Sequence, residues 1–150
     1  MADLGGANGN TTIFVFIGNT HQARTQSAFD WTKATGNGTY DWTIRFAVML
    51  PWGDGRAIID HAAYQGGRSE HSYAGNLGAI TGKRVAWTYR RNAGTSDIWL
   101  NGVHQKATTG LTSAFNPNNT GKFSIGDGSV LDFYGIFVYN RALSDVEIFQ

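Results

Sequence analysis

The chain is 150 residues long, has no cysteine, and sets 12 Lys and Arg against 11 Asp and Glu for a formal net charge of +1. A single domain of this size buries roughly two thirds of its unfolded surface, so it can hold a core without staples; disulfides, zinc thiolate centres and a thiol nucleophile are excluded. Hydrophobic residues at 41%, charged residues at only 15% and 20 glycines exclude a disordered chain and speak against a nucleic-acid binder, and they fit an all-β domain with many turns.

Met1 to Asn10 is Gly/Ala/Asn-rich and holds one large aliphatic residue, Leu4. It has neither a basic n-region nor an apolar h-region, so no secretion signal is expected there. No apolar stretch approaches the ~20 residues of a membrane helix. The opening cannot bury enough apolar area to offset an ordering entropy of roughly 1–2 kcal/mol per residue. Residues 1–12 are therefore expected to form an extended assembly arm, docked through Leu4, and 13–150 the folded domain. Thr12 to Ile17 is a continuous β-branched and aromatic run before Gly18-Asn19, which reads as a strand buried on both faces.

A Thr/Gly/Asn loop is expected at Thr35 to Thr39. From Tyr40 to Leu50, Tyr40, Trp42, Ile44, Phe46, Val48 and Leu50 share one face; Asp41, Thr43, Arg45, Ala47 and Met49 share the other. That period of two predicts a half-buried strand, stopped by Pro51 because proline cannot donate to a ladder. Ala57 to Asp60 is a short strand before the Gly66-Gly67 turn. Val85, Trp87 and Tyr89 alternate with polar or small residues. Asn101-Gly102 joins Ile98-Trp99-Leu100 to Val103-His104-Gln105 as a type I′ hairpin, since both turn positions need positive φ. This sets Leu100 opposite Val103 and Trp99 opposite His104, on opposite faces. Phe123 and Ile125 mark another strand, and Leu131 to Tyr139 the last. Ser144 then caps a short helix, with Glu147 completing a capping box and Leu143 and Ile148 a hydrophobic staple. Trp42, Ile44, Phe46, Val48, Trp87, Ile125, Phe137 and Tyr139 are expected in the core.

The stretch from Phe133 to Ile148, with Gly135, Tyr139-Asn140-Arg141-Ala142-Leu143-Ser144 and Glu147, resembles the closing signature of concanavalin A-like, laminin G-like jelly rolls. Trp42-Thr43-Ile44, Val85-Ala86-Trp87-Thr88-Tyr89, Asp97 to Gly102 and Ser124-Ile125-Gly126 resemble its other strands in order, so the likeness spans roughly residues 35 to 150. The resemblance implies two antiparallel sheets packed face to face, an all-β jelly-roll sandwich with one short C-terminal helix. Fold alone does not give function.

Glycosidases of this fold carry acids at alternate positions of one strand, and a retaining pair stands about 5 Å apart. This chain has two glutamates: Glu70, expected in a Gly/Arg/Ser loop, and Glu147, committed to the capping box. It has no Gly-x-Ser-x-Gly elbow, and His21, His61, His71 and His104 lack metal-ligand spacing. No catalysis is expected. Gly53-Asp54-Gly55 and Gly126-Asp127-Gly128 can offer oxygens to calcium. No second acid is near in sequence, so turns are preferred and no cofactor is expected. Asn10-Thr11-Thr12, Asn37-Gly38-Thr39 and Asn118-Asn119-Thr120 match a glycosylation triplet, as chance allows in a chain so rich in Asn and Thr.

Trp52, Asp54, Arg56, Tyr64, His71 and Tyr73 form an aromatic and polar set around the middle loops, the mixture that binds a sugar ring or a partner. Trp99 with His104 is expected as an exposed cross-strand pair, if Leu100 faces the core, and as a second contact surface. A small cysteine-free jelly roll without a signal, ending at its closing helix, is expected to be a component of a larger particle. A bacteriophage decoration or attachment protein, made in the cytoplasm, located in the virion and bound to sister subunits, is the first reading. The alternative is a stand-alone carbohydrate-binding module with glycans as partners. Neither reading invokes nucleic acid or membrane insertion.

Overall fold

A computed structural model describes residues 10–18, 29–36, 39–49, 56–63, 68–72, 82–112, 121–125 and 131–150. Ten strands occur among them: β1 Thr11–Gly18, β2 Phe29–Gly36, β3 Thr39–Met49, β4 Arg56–Ala63, β5 Arg68–Ser72, β6 Val85–Asn92, β7 Thr95–Leu100, β8 Val103–Thr108, β9 Gly121–Ile125 and β10 Asp132–Tyr139. One short helix, α1, spans Asp145–Phe149. The strands form two five-stranded antiparallel sheets, in the orders β10-β1-β6-β7-β8 and β5-β4-β3-β2-β9.

Alternation builds the core between the sheets. Ile13, Val15 and Ile17 of β1 lie beside Val85, Trp87 and Tyr89 of β6 and Ile98 of β7, facing Phe46, Val48, Ala57 and Ile59 of the second sheet. Full burial of such side chains is worth about 1.5–3 kcal/mol each. The β7–β8 turn has the expected form, with φ of 50° at Asn101 and 77° at Gly102, and it pairs Leu100 with Val103 and Trp99 with His104. At α1, the Glu147 amide donates to Ser144 Oγ at 3.4 Å while the Ser144 amide donates to Glu147 Oε2 at 2.8 Å, closing the capping box.

Several expectations are corrected. Strand β1 is not equally buried on both faces: Phe14 and Phe16 are half-buried, because the sandwich covers only one side of its sheet. The sheet also starts before residue 13. Thr11 and Thr12 are fully buried; Thr11 Oγ1 donates to the Tyr139 carbonyl (2.8 Å), and Thr12 Oγ1 donates to the Arg141 carbonyl (3.0 Å) while accepting from the Leu143 amide (2.9 Å). Residues 1–9, Leu4 included, lie outside the described residues. In β3 the face expected in solvent is covered: Ala47 and Met49 are buried with Ile58, and Asp60 beside them is fully buried. The side chains of Trp42 and Ile44 lie outside the description.

Strands β2 and β5 are not among the strands expected from the sequence. The expected loop from Thr35 starts within β2, and Gly36 pairs with Thr39. Glu70 stands on β5 opposite Ile58, not in a loop. The core assignment holds for Phe46, Val48 and Trp87 and fails for Ile125, Phe137 and Tyr139, which are 49%, 58% and 41% exposed. The reason is position. β9 and β10 are edge strands, and the β1–β10 register sets Phe137 opposite Phe14 and Tyr139 opposite Thr12, on the side away from the core.

Candidate functional site

The chemistry-bearing surface of the first sheet is assembled by three local features. On β1, Phe16 has Gly135 opposite on one side and Ala86 on the other. Two small residues flanking a ring leave a trough. Next, the β1–β10 register slips between Phe16 and Ile17, which pair with Gly135 and Phe133 and leave Tyr134 unpaired. That extra residue is a β-bulge, the device by which an edge strand re-aims a side chain. Finally, Gly18 makes room for the re-aimed ring: a Cβ there would stand 2.8 Å from Tyr134 Cε2 and 3.2 Å from Arg84 Cγ.

The result is an open groove of about 610 Å³, whose described lining is Phe16, Ile17, Arg84, Val85, Ala86, Asn101, Tyr134, Gly135, Ile136 and Phe137. Tyr134 and Phe137 stand 50% and 58% exposed. Phe137 meets Phe16 edge to face at 5.9 Å. The Arg84 guanidinium lies over the Tyr134 ring, 5.1 Å from its centroid. Asn101 Oδ1 accepts from the Ala86 amide at 2.8 Å, and the Asn101 amide donates to the Ala86 carbonyl at 2.8 Å, which fixes the side chain while leaving its NH₂ toward solvent. Flat exposed rings, a fixed amide and a guanidinium around an apolar floor can hold a ligand with an apolar face and polar rim.

Of the residues singled out from the sequence, those that are described do not line the groove. Trp52, Asp54, Tyr64 and Tyr73 lie outside the described residues, as do Gly53-Asp54-Gly55 and Gly126-Asp127-Gly128. Arg56 opens β4 opposite Ser72 and is half-buried, and His71 stands on β5 opposite Ala57. Both are on the second sheet, away from the groove strands. Trp99 and His104 do pair, at 5.3 Å and edge to face. The expectation of an exposed pair is corrected for one member: Leu100 packs on the core and His104 is exposed, yet Trp99 is only 3% exposed. Phe149 of α1 covers it at 6.5 Å and the Arg90 guanidinium lies 4.9 Å from its ring. Arg90 in turn donates to Asp97 Oδ2 (2.8 Å from Nη2), to the Leu143 carbonyl (3.0 Å) and to Asp145, while His104 Nε2 bonds Asp97 Oδ1 at 3.0 Å. This network clamps the C-terminal helix onto the sheet.

Sequence reasoning passed over Arg84, Asn101, Tyr134 and Phe137. Phe137 is expected in the core and Asn101 as a turn former, while Arg84 carries no expected role. The available signal was Gly135 inside an otherwise apolar strand, since glycine within a strand marks a bulge or close approach. Among the described residues there is no group of three or more His, Asp or Glu that could hold a metal ion, and no helix long and apolar enough to cross a membrane.

No family model and no curated protein matches the chain. Solved structures do share its fold. The NanB sialidase from Streptococcus pneumoniae is similar at 16% identity with a TM-score of 0.69 over 95% of this chain, which spans only 24% of the sialidase chain. Domain 4 of AbnA, a GH43 extracellular arabinanase from Geobacillus stearothermophilus solved in complex with arabinotriose, is similar at 14% identity and TM-score 0.65, covering 97% of this chain and 68% of that one. The Ruminococcus gnavus IT-sialidase CBM40 bound to α2,3-sialyllactose is similar at 16% and 0.62, covering 92% and 79%. The chain thus shares the two-sheet β-sandwich fold of these structures.

Proposed function

We propose that this protein is a non-catalytic, lectin-like carbohydrate-binding module of the concanavalin A-like, laminin G-like group, and that it holds a saccharide in the groove between Tyr134 and Phe137. The observation that carries the reading is the groove itself. Two half-exposed rings flank an apolar floor, with the Arg84 guanidinium and the Asn101 amide at its rim, and its volume lies within the roughly 300–1,000 Å³ of small-ligand sites. The C–H face of a sugar stacks on such rings while its hydroxyls meet the polar rim. Two proteins of the same fold carry an oligosaccharide in their structures, which supports the reading. The described lining holds no carboxylate, whereas glycoside hydrolysis uses a pair of them; this favours binding over turnover.

The particle role expected from the sequence has no support from the fold or the comparisons. The test is titration of the full chain with a panel of oligosaccharides, followed by NMR or calorimetry. Binding should appear, and Tyr134→Ala or Phe137→Ala should weaken it by about tenfold, the loss typical of an anchoring aromatic. Val146→Ser, at an exposed position on α1, should leave it unaltered. Silence across the panel, or affinity indifferent to both aromatic substitutions, defeats the proposal.

A further inference from the structure

We propose that the groove selects saccharides that carry a carboxylate, and that Arg84 receives the charged group. The proposal rests on the reading of the groove as a saccharide site, and it goes further by naming the class of sugar.

The argument begins with where this chain uses its arginine donors. Arg90 bonds Asp97, the Leu143 carbonyl and Asp145. Arg91 is buried and donates to the Ala93 carbonyl. Arg141 forms a two-pronged pair with Glu147, at 3.0 and 2.6 Å. Each of these guanidinium groups is engaged within the protein. Arg84 differs: its one recorded interaction is with the face of Tyr134, and among the described residues it has neither a hydrogen bond nor an ion pair. Asp132, on the same strand as Tyr134, accepts weakly from Tyr134 Oη at 3.4 Å and makes no ion pair with Arg84.

Position gives this free fork a meaning. The ring of Tyr134 sits against Gly18, and the Arg84 stem packs at the same glycine, so the stem and the ring are held together at the groove wall. A guanidinium lying on an aromatic face keeps its N–H donors at its edge, and that edge matches the two oxygens of a carboxylate. Lys83, also exposed, adds a second positive charge next to it, and the described groove lining contributes no negative charge to oppose an anion. The Asn101 NH₂ is placed to donate to a neighbouring hydroxyl. A neutral sugar would use the rings and the amide and leave the guanidinium fork unmatched.

The experiment compares matched ligands on the full chain by calorimetry: sialyllactose against its methyl ester, and a galacturonate trimer against its methyl ester. The charged member of at least one pair should bind about tenfold more tightly than its neutral counterpart, the difference expected when a hydrogen bond gains a charged partner. The pair that shows the preference identifies the source of the carboxylate, sialic or uronic acid. Added salt should shrink that advantage, because the site is open to solvent. The readout for Arg84 is the ratio of the two affinities within one variant. Arg84→Gln should bring it close to one, and Arg84→Lys should leave an intermediate ratio, because an ammonium keeps the charge without the fork. Equal affinities in both pairs, or a ratio that survives Arg84→Gln, overturns the proposal while leaving the saccharide reading in place. No binding by any of the four sugars overturns the saccharide reading and this proposal with it.

Discussion

Protonation of His61 should destabilise this protein from within. His61 stands on β4 opposite Phe46, is fully buried, and packs edge to face on Phe46 at 5.2 Å and beside Tyr89 at 6.2 Å. Burial, aided by the positive charge of Arg91, lowers its pKa from 6.5 to about 3. The folded-state value is therefore below the unfolded one, so the unfolded chain binds the extra proton first. Stability is fully present above pH 6.5 and is lost as pH falls from there toward about 3. The slope approaches 1.4 kcal/mol per pH unit, so the loss from this residue reaches about 2 kcal/mol by about pH 5. Against a total of roughly 5–15 kcal/mol for a domain, that is a large share. Urea unfolding followed by tryptophan fluorescence across this range, on wild type and His61→Phe, separates the contribution. The substitution keeps a flat ring between Phe46 and Tyr89 and removes the titrating group. Whatever constant offset it introduces, the stability of wild type relative to the variant should fall by about 2 kcal/mol between about pH 8 and about pH 5. Parallel curves, or an NMR midpoint for His61 near 6.5, would refute the assignment of a buried neutral imidazole.

Other outcomes follow from particular contacts. Gly102→Ala places a Cβ at φ 77° in the β7–β8 turn and should cost about 1–2 kcal/mol in denaturant unfolding. Arg90→Met removes the bonds to Asp97, the Leu143 carbonyl and Asp145; it should destabilise by about 1–3 kcal/mol and red-shift the emission of Trp99 as α1 loosens. Glu147, held by the Arg141 fork and then by the Ser144 amide and hydroxyl, has its pKa lowered from 4.5 to about 2. Its contribution is present above 4.5 and fades as pH falls through that range; Arg141→Gln should raise the NMR midpoint toward 4.5. Gly18→Ala drives a Cβ into Tyr134 and should weaken saccharide binding with little change in melting temperature, because the ring it displaces is exposed.

Features that depend on near neighbours along the chain were legible in the residues alone. Asn101-Gly102 specified its turn because only residues tolerant of positive φ fit there, and Ser144 with Glu147 specified the capping box because the donors and acceptors lie three residues apart. Alternation located β3, β6 and β10 and found the core-facing residues Phe46, Val48 and Trp87. The tertiary structure decided everything that needs a strand's place in a sheet. The apolar residues of β10 read as core, yet β10 is an edge strand, so Phe137 and Tyr139 are exposed; β3 read as half-buried, yet Ala47 and Met49 are covered on its far face. The groove belongs to the same category. Its tyrosine is aimed by a register slip against β1, its room comes from Gly18 far away in sequence, and its arginine forms no ion pair among the described residues. Periodicity reports which side chains share a face of a strand; which faces and edges stay open is set by long-range pairing, a property of the assembled sheets that no local pattern contains.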